Sequence, residues 1–406
     1  MKAVILVAGK GTRMEPLTVT LPKCLLSVLN KPILMWQIES LQGLVNEIIL
    51  VVRSPQTDPT QQAIIDYVQN LQLSIKSIKF NFVVVQEALG TGDAVWQCKE
   101  YLIDQERFFV LYGDDVYIAE DLRNLFQNQF AILSQKVNDP EKWGILEVDS
   151  QNNLIKITEK PIEFVGNLAN CGAYILGKQL FTYQKSLQRS PRGEFELTDL
   201  VSEFAKNFQV QVVPAIKWLP VSYPWHLLET SKQLLDRIDF LVEGEIETNV
   251  TIKGRLKLGK GSIIKSGTYI EGDVVIGEGC VIGPNAYLRG PVIIGDKSEV
   301  KFSTEIKNTV IMENSKIPHL SYIADSIIGN NVNVGGNSIF ANVRHDGQSV
   351  KTMIKGVLVD TGLRKFGAVI GDGVKIGVKT IIYPGRKIWP NQTTLPAQVV
   401  DRDIIS

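Results

Sequence analysis

Glycines and cations crowd the start of the chain in the run Ala8-Gly9-Lys10-Gly11-Thr12-Arg13, and Lys23 follows ten residues after Arg13. Glycines at this density let backbone N–H groups approach phosphate oxygens as no side chain could, and Arg13 and Lys23 can neutralise a triphosphate. Ala8, Gly9, Gly11 and Thr12 are therefore candidate nucleotide contacts, and Arg13 and Lys23 candidate catalytic cations. Asp114 and Asp115 follow the apolar run Phe108–Leu111. Carboxylates just past a buried strand suit a hard divalent cation bridging phosphates. Asp114 is the metal candidate, because Asp115 could equally cap the following turn. Two of the three histidines, His319 and His345, lie beyond residue 310. An imidazole titrates near neutrality and can act as a base, although an isolated histidine is more often structural.

The elements that would position these groups divide the chain in two. Ala3–Val7, Glu47–Val52, Phe82–Val85 and Phe108–Leu111 read as strands and Gln61–Asn70 as a helix. The glycine run thus sits at the end of the first strand, where ligands of open parallel sheets collect, but its spacing is neither the dinucleotide fingerprint nor a P-loop. The second half keeps a strict period of six, from Ile252 through Leu258, Ile264 and Ile270 to Val300 and Ile306, resuming as Ile328, Val334, Phe340 and later Ile370 to Ile388. Neither helix nor ordinary strand repeats at six. A solenoid of short flat faces does, each repeat placing one aliphatic side chain on the rung below. Seven or eight triangular coils of a parallel β-helix are expected. A helix over Leu227–Phe240 and the polar Glu243-Gly244-Glu245 form the expected hinge, and His226 falls on a helix read over Trp225–Asp236 beside this junction. The period breaks near 312–327, around His319, and over 341–367, which holds Asn342, His345, Lys351, Lys355 and Lys365. Irregularity in a strict repeat is where function overrides packing.

Length and composition set outer bounds. At 406 residues there is room for two or more cores, and 43 basic residues balance 43 acidic ones, so bulk charge gives no case for a nucleic-acid partner. Cys24, Cys98, Cys171 and Cys280 are too scattered for a zinc cluster or a redox pair and are expected to be reduced and packed. The N-terminal apolar run is too short for a signal peptide or a membrane span, so the expected location is cytoplasmic, without a membrane partner.

The ordered set Gly-x-Gly-Thr-Arg-Met-x-Pro-Leu-Thr, Pro-Lys-Cys-Leu-Leu, Leu-Gly-Thr-Gly-Asp-Ala, Tyr-Gly-Asp-Asp and Glu159-Lys160-Pro161 resembles the sugar-1-phosphate nucleotidylyltransferases over roughly residues 1 to 235. The resemblance implies that Arg13 and Lys23 clamp the nucleotide phosphates, that Gln86, Gly90 and Thr91 meet the nucleotide, and that Asp114 holds Mg²⁺. It also implies that Gly144, Glu159, Lys160, Asn170 and Gly172 line the sugar-phosphate pocket. Arg192-Gly193-Glu194 and Leu197-Thr198-Asp199 match a further family segment. Leu21 and Ser27 depart from its usual basic residue and proline. A larger departure is Pro220, which falls where the family carries a second metal aspartate. Proline has no ligand atom. That leaves a weakened metal position, recruitment of Asp115 or Asp199, loss of the transfer chemistry with the fold retained, or a local slip of alignment.

Lys307, Ser315-Lys316-x-Pro-His319-Leu-Ser-Tyr322, Asn331-Val-Asn333 and Asn342 resemble the acetyltransferase half of the bifunctional GlcNAc-1-phosphate uridylyltransferases, and Asp360-Thr361-Gly362-Leu363-Arg364-Lys365-Phe366-Gly367 is closer to their archaeal type. The implied fold is an α/β Rossmann-like nucleotidyltransferase domain (1–235), a linker (236–249) and a left-handed parallel β-helix of hexapeptide repeats (250–406). Its handedness runs against the usual crossover rule and comes from the resemblance alone. By the same resemblance His319 is the base, Arg289, Lys307, Tyr322 and Asn333 hold the sugar phosphate, and Asn342, Lys351 and Lys355 belong to the acetyl-CoA site. Three solenoids packed side by side imply a homotrimer. A protonated amine cannot attack a thioester, which is the need His319 would meet. The leading expectation is a bifunctional enzyme using acetyl-CoA, Mg²⁺ and UTP or dTTP on glucosamine- or galactosamine-1-phosphate. The alternatives are a monofunctional nucleotidylyltransferase whose β-helix oligomerises or regulates, and a scaffold with a decayed site.

Overall fold

A computed structural model describes residues 1–183, 188–190 and 193–405. They form two compact units. The first comprises Met1–Lys10, Pro22–Leu25 and Ile33–Pro220, and the second Gly11–Leu21, Leu26–Pro32 and Val221–Ser406.

The first unit is built on a nine-stranded, mostly parallel-centred sheet. Lys2–Leu6 lies between Glu47–Arg53 and Phe108–Tyr112, parallel to both, and Lys79–Val85 follows Glu47–Arg53. The three central strands are near-continuous buried apolar runs because both faces of the sheet are covered there, whereas Lys79–Val85 at the edge is only partly buried. On the far side Leu168–Leu176 runs antiparallel to Phe108–Tyr112 and carries Ala131–Lys136 and Gly144–Val148. The strands lie within a few residues of their expected places, and the expected helix spans Gln62–Ser74. Strand order reverses between Lys2–Leu6 and Phe108–Tyr112. The crevice beyond their carboxyl ends is where an open sheet of this kind receives its ligand. Val4, Ile49, Val110, Tyr174 and Phe204 join one core behind it.

The second unit contains many short parallel strands stacked in register. One ladder runs Glu245, Ile263, Val281, Glu299, Lys316, Asn333, Lys375, Thr393, eight rungs deep. Glu245–Ile246, within the segment expected to be a linker, is thus already its first rung. The aliphatic residues of the six-residue period are buried from Leu258 to Ile306, whereas the first beat, Ile252, is exposed.

The two expected breaks prove different in kind. Tyr269 pairs with Tyr287 and Tyr287 with Glu305, a step of 18 residues, but Glu305 pairs with Tyr322 and Tyr322 with Ile339, a step of 17. The register shift between Arg289 and Val292 marks the lost residue. Ile311, Ile317, Ile323 and Ile328 keep the buried column continuous, so 312–327 is a shortened step of the stack and not an interruption. The 341–367 segment is a true excursion. It carries the antiparallel hairpin Lys351–Ile354 and Val357–Asp360, turning at Lys355 and Gly356 with φ of 50° and 77°, the left-handed pair that a two-residue hairpin loop requires. After it Ile328 stacks directly on Ile370.

The helix expected to reach Phe240 spans His226–Leu234, followed by a 3-10 turn to Arg237. It stops early where Asp236 and the Phe240 ring both engage the Arg255 guanidinium, at 2.7 Å and 4.5 Å respectively. All four cysteines are buried and unpaired with one another.

Candidate active sites

At the crevice of the first unit Lys23 opens the short helical turn Lys23–Leu25, and its Nζ lies 2.6 Å from Asp114 Oδ2. Asp114 leaves the end of Phe108–Tyr112 through Gly113, whose N–H donates to the Leu6 carbonyl at 3.0 Å. A Cβ on Gly113 would stand 2.5 Å from that same oxygen, so the adjacent strands can bring Asp114 forward only with glycine here. Gln37, fully buried, donates from Nε2 to the carbonyls of Tyr112 and Asp115 at 2.8 and 2.6 Å and clamps both sides of this turn. Sequence reasoning missed Gln37, because a glutamine in an apolar helix becomes a clamp only once the turn folds against it.

Asp115 points elsewhere. It is 6% exposed, and its Oδ2 accepts from the Trp218 indole at 3.0 Å. Its backbone pairs with Pro220, the strand Leu219–Pro220 running antiparallel to Asp115–Val116. Asp199 is exposed in the first turn of the helix Leu197–Ala205.

Gly90 has φ 128°, and a Cβ there would lie 2.3 Å from the Phe195 carbonyl oxygen. Phe195 also donates to the Leu89 carbonyl and accepts from Gly92, while Thr91 Oγ1 accepts from Leu197 N at 3.0 Å. This segment is therefore held tightly, whereas Gln86 is exposed just beyond its strand and Gly9 lies open with Ala8 buried behind it. The Ala8 carbonyl accepts from Arg53 Nε at 2.8 Å. Gly144 pairs with Glu159 at the ends of their strands, and Lys160 turns out of that ladder with φ 46°. Asn170 uses its amide internally, donating to Tyr174 Oη at 2.6 Å and accepting from Gly172 N at 2.9 Å. Tyr174 continues to Tyr112 at 3.2 Å, and burial pushes both phenols well above their ordinary range. Arg192 lies outside the described residues.

The Gly11–Leu21 segment belongs to the second unit. Gly11 is left-handed at φ 64°, and its carbonyl accepts from Met14 N and Thr18 Oγ1 at 2.8 and 2.9 Å. Thr12 begins this turn, and Arg13 is exposed with its guanidinium 5.5 Å over the Tyr223 ring. Tyr223 stacks flat on Trp225 at 4.5 Å, and His226 accepts through Nδ1 from Ser222 N at 3.1 Å.

Further along the stack Arg289 and Lys307 are register partners, with Ala324 on the next rung. Asp325 follows, 4% exposed, accepting from Asn308 at 2.6 Å and Asn342 at 2.5 Å. Burial, with repulsion from Lys365 and Arg289, holds the Lys307 ammonium below its ordinary value against the pull of Asp325. Arg289 also pairs with Glu305 at 3.0 Å. Burial and the carboxylates Glu305 and Asp325 raise the Tyr322 phenol, and Arg289 opposes them. Asp325, Glu305 and Lys365 thus join Arg289, Lys307 and Tyr322 as a mixed cluster. Asp325 and Glu305 gave no signal in the sequence, because they meet their partners only through the stacking of the rungs, whereas Lys365 lay in the break of the period over 341–367.

His319 is exposed at the corner before Tyr322–Ala324, its Nε2 only 2.9 Å from where a Cβ on Gly336 would stand. Asn333 stands on the neighbouring ladder of Lys316 and Lys375, not on that of Tyr322. Lys351 and Lys355 are exposed on the inserted hairpin, and His345 is exposed between Arg344 and Asp346. Among the described residues no three His, Cys, Asp or Glu side chains gather as a metal cage, and no helix is long and apolar enough to cross a membrane.

Residues 2–237 match the family described as Nucleotidyl transferase, and residues 264–405 the GMPPB C-terminal domain. The whole chain aligns at 39% identity with "Bifunctional protein GlmU" of Methanocaldococcus jannaschii, covering 96% of that protein. It also aligns at 39% over its whole length with the "Bifunctional sugar-1-phosphate nucleotidylyltransferase/acetyltransferase" of Sulfurisphaera tokodaii, covering 98% of it. A solved UDP-glucose pyrophosphorylase complexed with UDP-glucose superposes on 58% of this chain and 99% of its own, with a TM-score of 0.50 and 21% identity, a likeness of fold. With identity of this level sustained from end to end, the chain belongs to the family of the bifunctional GlmU proteins.

Proposed function

We propose that the chain N-acetylates an amino-sugar 1-phosphate with acetyl-CoA and transfers UMP or dTMP from UTP or dTTP to a sugar 1-phosphate, releasing pyrophosphate. The observation that carries this reading is the full-length identity to bifunctional relatives. We assign nucleotidyl transfer to residues 1–235, a linker to 236–249, and acetyl transfer to 250–406 as a left-handed β-helix of hexapeptide repeats. The 17- and 18-residue steps of the stack support that helix. The enzyme acts in the cytoplasm as a homotrimer formed through the β-helix. Light scattering at three times the mass of one chain is the expected result.

In nucleotidyl transfer an oxygen of the sugar 1-phosphate attacks the α-phosphorus, and the bond to the pyrophosphate oxygen breaks. Arg13 and Lys23 offset charge on the equatorial and leaving oxygens, so no covalent enzyme intermediate is required. Ala8, Gly9, Gly11 and Thr12 present backbone to the phosphates, and Gln86, Gly90 and Thr91 meet the nucleotide. Gly144, Glu159, Lys160 and Asn170 line the sugar-phosphate pocket. Mg²⁺ characteristically keeps several waters and takes one or two carboxylates besides substrate phosphates, and Asp114 fits as one such carboxylate. The cation would supply further charge neutralisation on the phosphate oxygens.

In acetyl transfer His319 takes a proton from the amine of the sugar phosphate, whose nitrogen attacks the thioester carbonyl. The C–S bond then breaks, and the CoA sulfur leaves with a proton. Arg289, Lys307, Tyr322 and Asn333 hold the sugar phosphate, and Asn342, Lys351 and Lys355 serve the acetyl-CoA site. The match of residues 264–405 to the GMPPB C-terminal domain favours a second reading, a nucleotidylyltransferase whose β-helix only oligomerises or regulates. His319→Ala separates the two readings. Loss of about 10²–10⁴-fold in acetyl transfer, with pyrophosphate release retained, is expected for a general base. Unchanged acetylation would sink the assignment.

A further inference from the structure

Lys387 is a lysine in a place that ordinarily takes an apolar residue. It lies on the short strand Lys387–Ile388, paired with Val369–Ile370, and is only 1% exposed. Taking an ammonium out of water is costly unless its protons are used, and an aliphatic side chain would fill the same space without that cost. The charged groups acting on it are few. Asp403 and Glu15 attract it and Arg386 repels it, while the Asp403 carboxylate accepts through Oδ1 from the Lys387 backbone N–H at 2.9 Å.

The Lys387 ammonium donates to the carbonyl oxygen of Glu15 at 2.9 Å. Glu15 lies two residues past Arg13 in the Gly11–Leu21 segment, which forms one compact unit with the stacked strands. Five residues on, Thr20 Oγ1 donates to Asp372 Oδ2 at 2.8 Å, and that aspartate is itself held by Asn330 N at 2.7 Å. Met14 and Leu17, buried at 0% and 1%, complete the seat of the segment. The turn that presents Gly11, Thr12 and Arg13 is thus pinned on its far side by residues some 350 to 370 positions later in the chain.

We propose that Lys387 is a positioning residue for nucleotidyl transfer, holding the Glu15 carbonyl so that the Gly11–Met14 turn keeps Arg13 in its working place. The inference rests on the assignment of Arg13 to the nucleotide phosphates made above. It extends that assignment to a residue deep in the acetyltransferase half of the sequence, which touches neither substrate.

The test is Lys387→Met in the full-length protein, with both reactions measured in the same preparation and Arg13→Ala as the reference. A group that acts by placing Arg13 is felt in the transition state, so kcat for pyrophosphate release should fall about tenfold with KM for UTP or dTTP little changed. Acetyl transfer should stay within about twofold of the wild type, because Lys387 has no part in it. Thr20→Val, which removes a surface hydroxyl without disturbing the core, should give a smaller loss of about threefold in the same kcat. It decides the matter if the methionine variant does not fold. Nucleotidyl transfer within twofold of the wild type in both variants would overturn the proposal, as would a parallel fall of both activities.

Limited trypsin digestion separates this proposal from the reading beneath it. Cleavage after Arg13 should be about tenfold faster in Lys387→Met if the pin holds the turn, since proteolysis tracks local opening. Unchanged cleavage would overturn the pin even in an active enzyme. A wild type with no pyrophosphate release but faster cleavage in the variant would instead retire the nucleotidyl reading and leave the pin standing.

Discussion

Asp325 accepts from Asn308 and Asn342, each 17 positions away along the chain and one rung away in space. Asn342→Ala leaves one buried carboxylate oxygen short of a donor, which costs about 1–3 kcal/mol. A lower urea midpoint together with weaker acetyl transfer is the expected result. An unchanged midpoint would mean that Asp325 does not depend on that bond. Lys387 gives a prediction of the opposite kind, about pH. Burial pulls its ammonium down from the ordinary 10.5 to about 8. Between these values the folded state binds fewer protons than the unfolded chain, so this group's contribution to stability rises with pH across that window and is least favourable below it. Urea denaturation from pH 7.5 to 10 should show wild type gaining on Lys387→Met as pH increases. A gap that stays flat or reverses would show that the amine is not buried in its charged form.

The stacked strands make a different prediction, because each rung fills the space left by its neighbours. Ile323 is fully buried between Ile306 and Phe340 on the strand that separates His319 from Asp325. Ile323→Ala should destabilise the unit by about 2–5 kcal/mol, the range for emptying a packed aliphatic site, readable as a shift in urea midpoint. A change below 1 kcal/mol would mean the column collapses around the gap.

The column was legible in the sequence because a period of six needs no knowledge of what folds against what. The shortened step was not, since moving Ile311 and Ile328 one residue early looks like noise until Thr309 is seen opposite Val292. The same limit applies at the crevice. Lys23, Asp114 and the Gly9-Lys10-Gly11 run could be picked out by residue type and spacing. Gln37 and Gly113 gain meaning only when the strands Lys2–Leu6 and Phe108–Tyr112 lie side by side. The helix after Trp225 was read too long because its stop depends on Arg255, which captures Asp236 and Phe240 from the first rungs. Pattern alone offers no sign of that contact.

For the molecule as a whole, the assignment of two chemistries to one chain has a consequence that neither site has alone. If acetylation yields a free N-acetylamino-sugar 1-phosphate that the nucleotidyl site then accepts, the two steps share only a diffusible product. Lys23→Ala should lose nucleotidyl transfer by about 10²–10³-fold while still acetylating, since one cation at a charge-developing site is worth about that much. His319→Ala should show the reverse. Mixed in equal amounts with glucosamine 1-phosphate, acetyl-CoA, UTP and Mg²⁺, the two variants should form nucleotide sugar after a lag, although each alone forms little. The lag should shorten as either protein is increased, as a freely exchanged intermediate demands. Failure of the mixture, with each single activity intact, would mean that the product of the first reaction is not the substrate of the second. The nucleotidyl site would then serve a different sugar 1-phosphate, and a panel of hexose 1-phosphates tested with the His319→Ala protein would identify it directly.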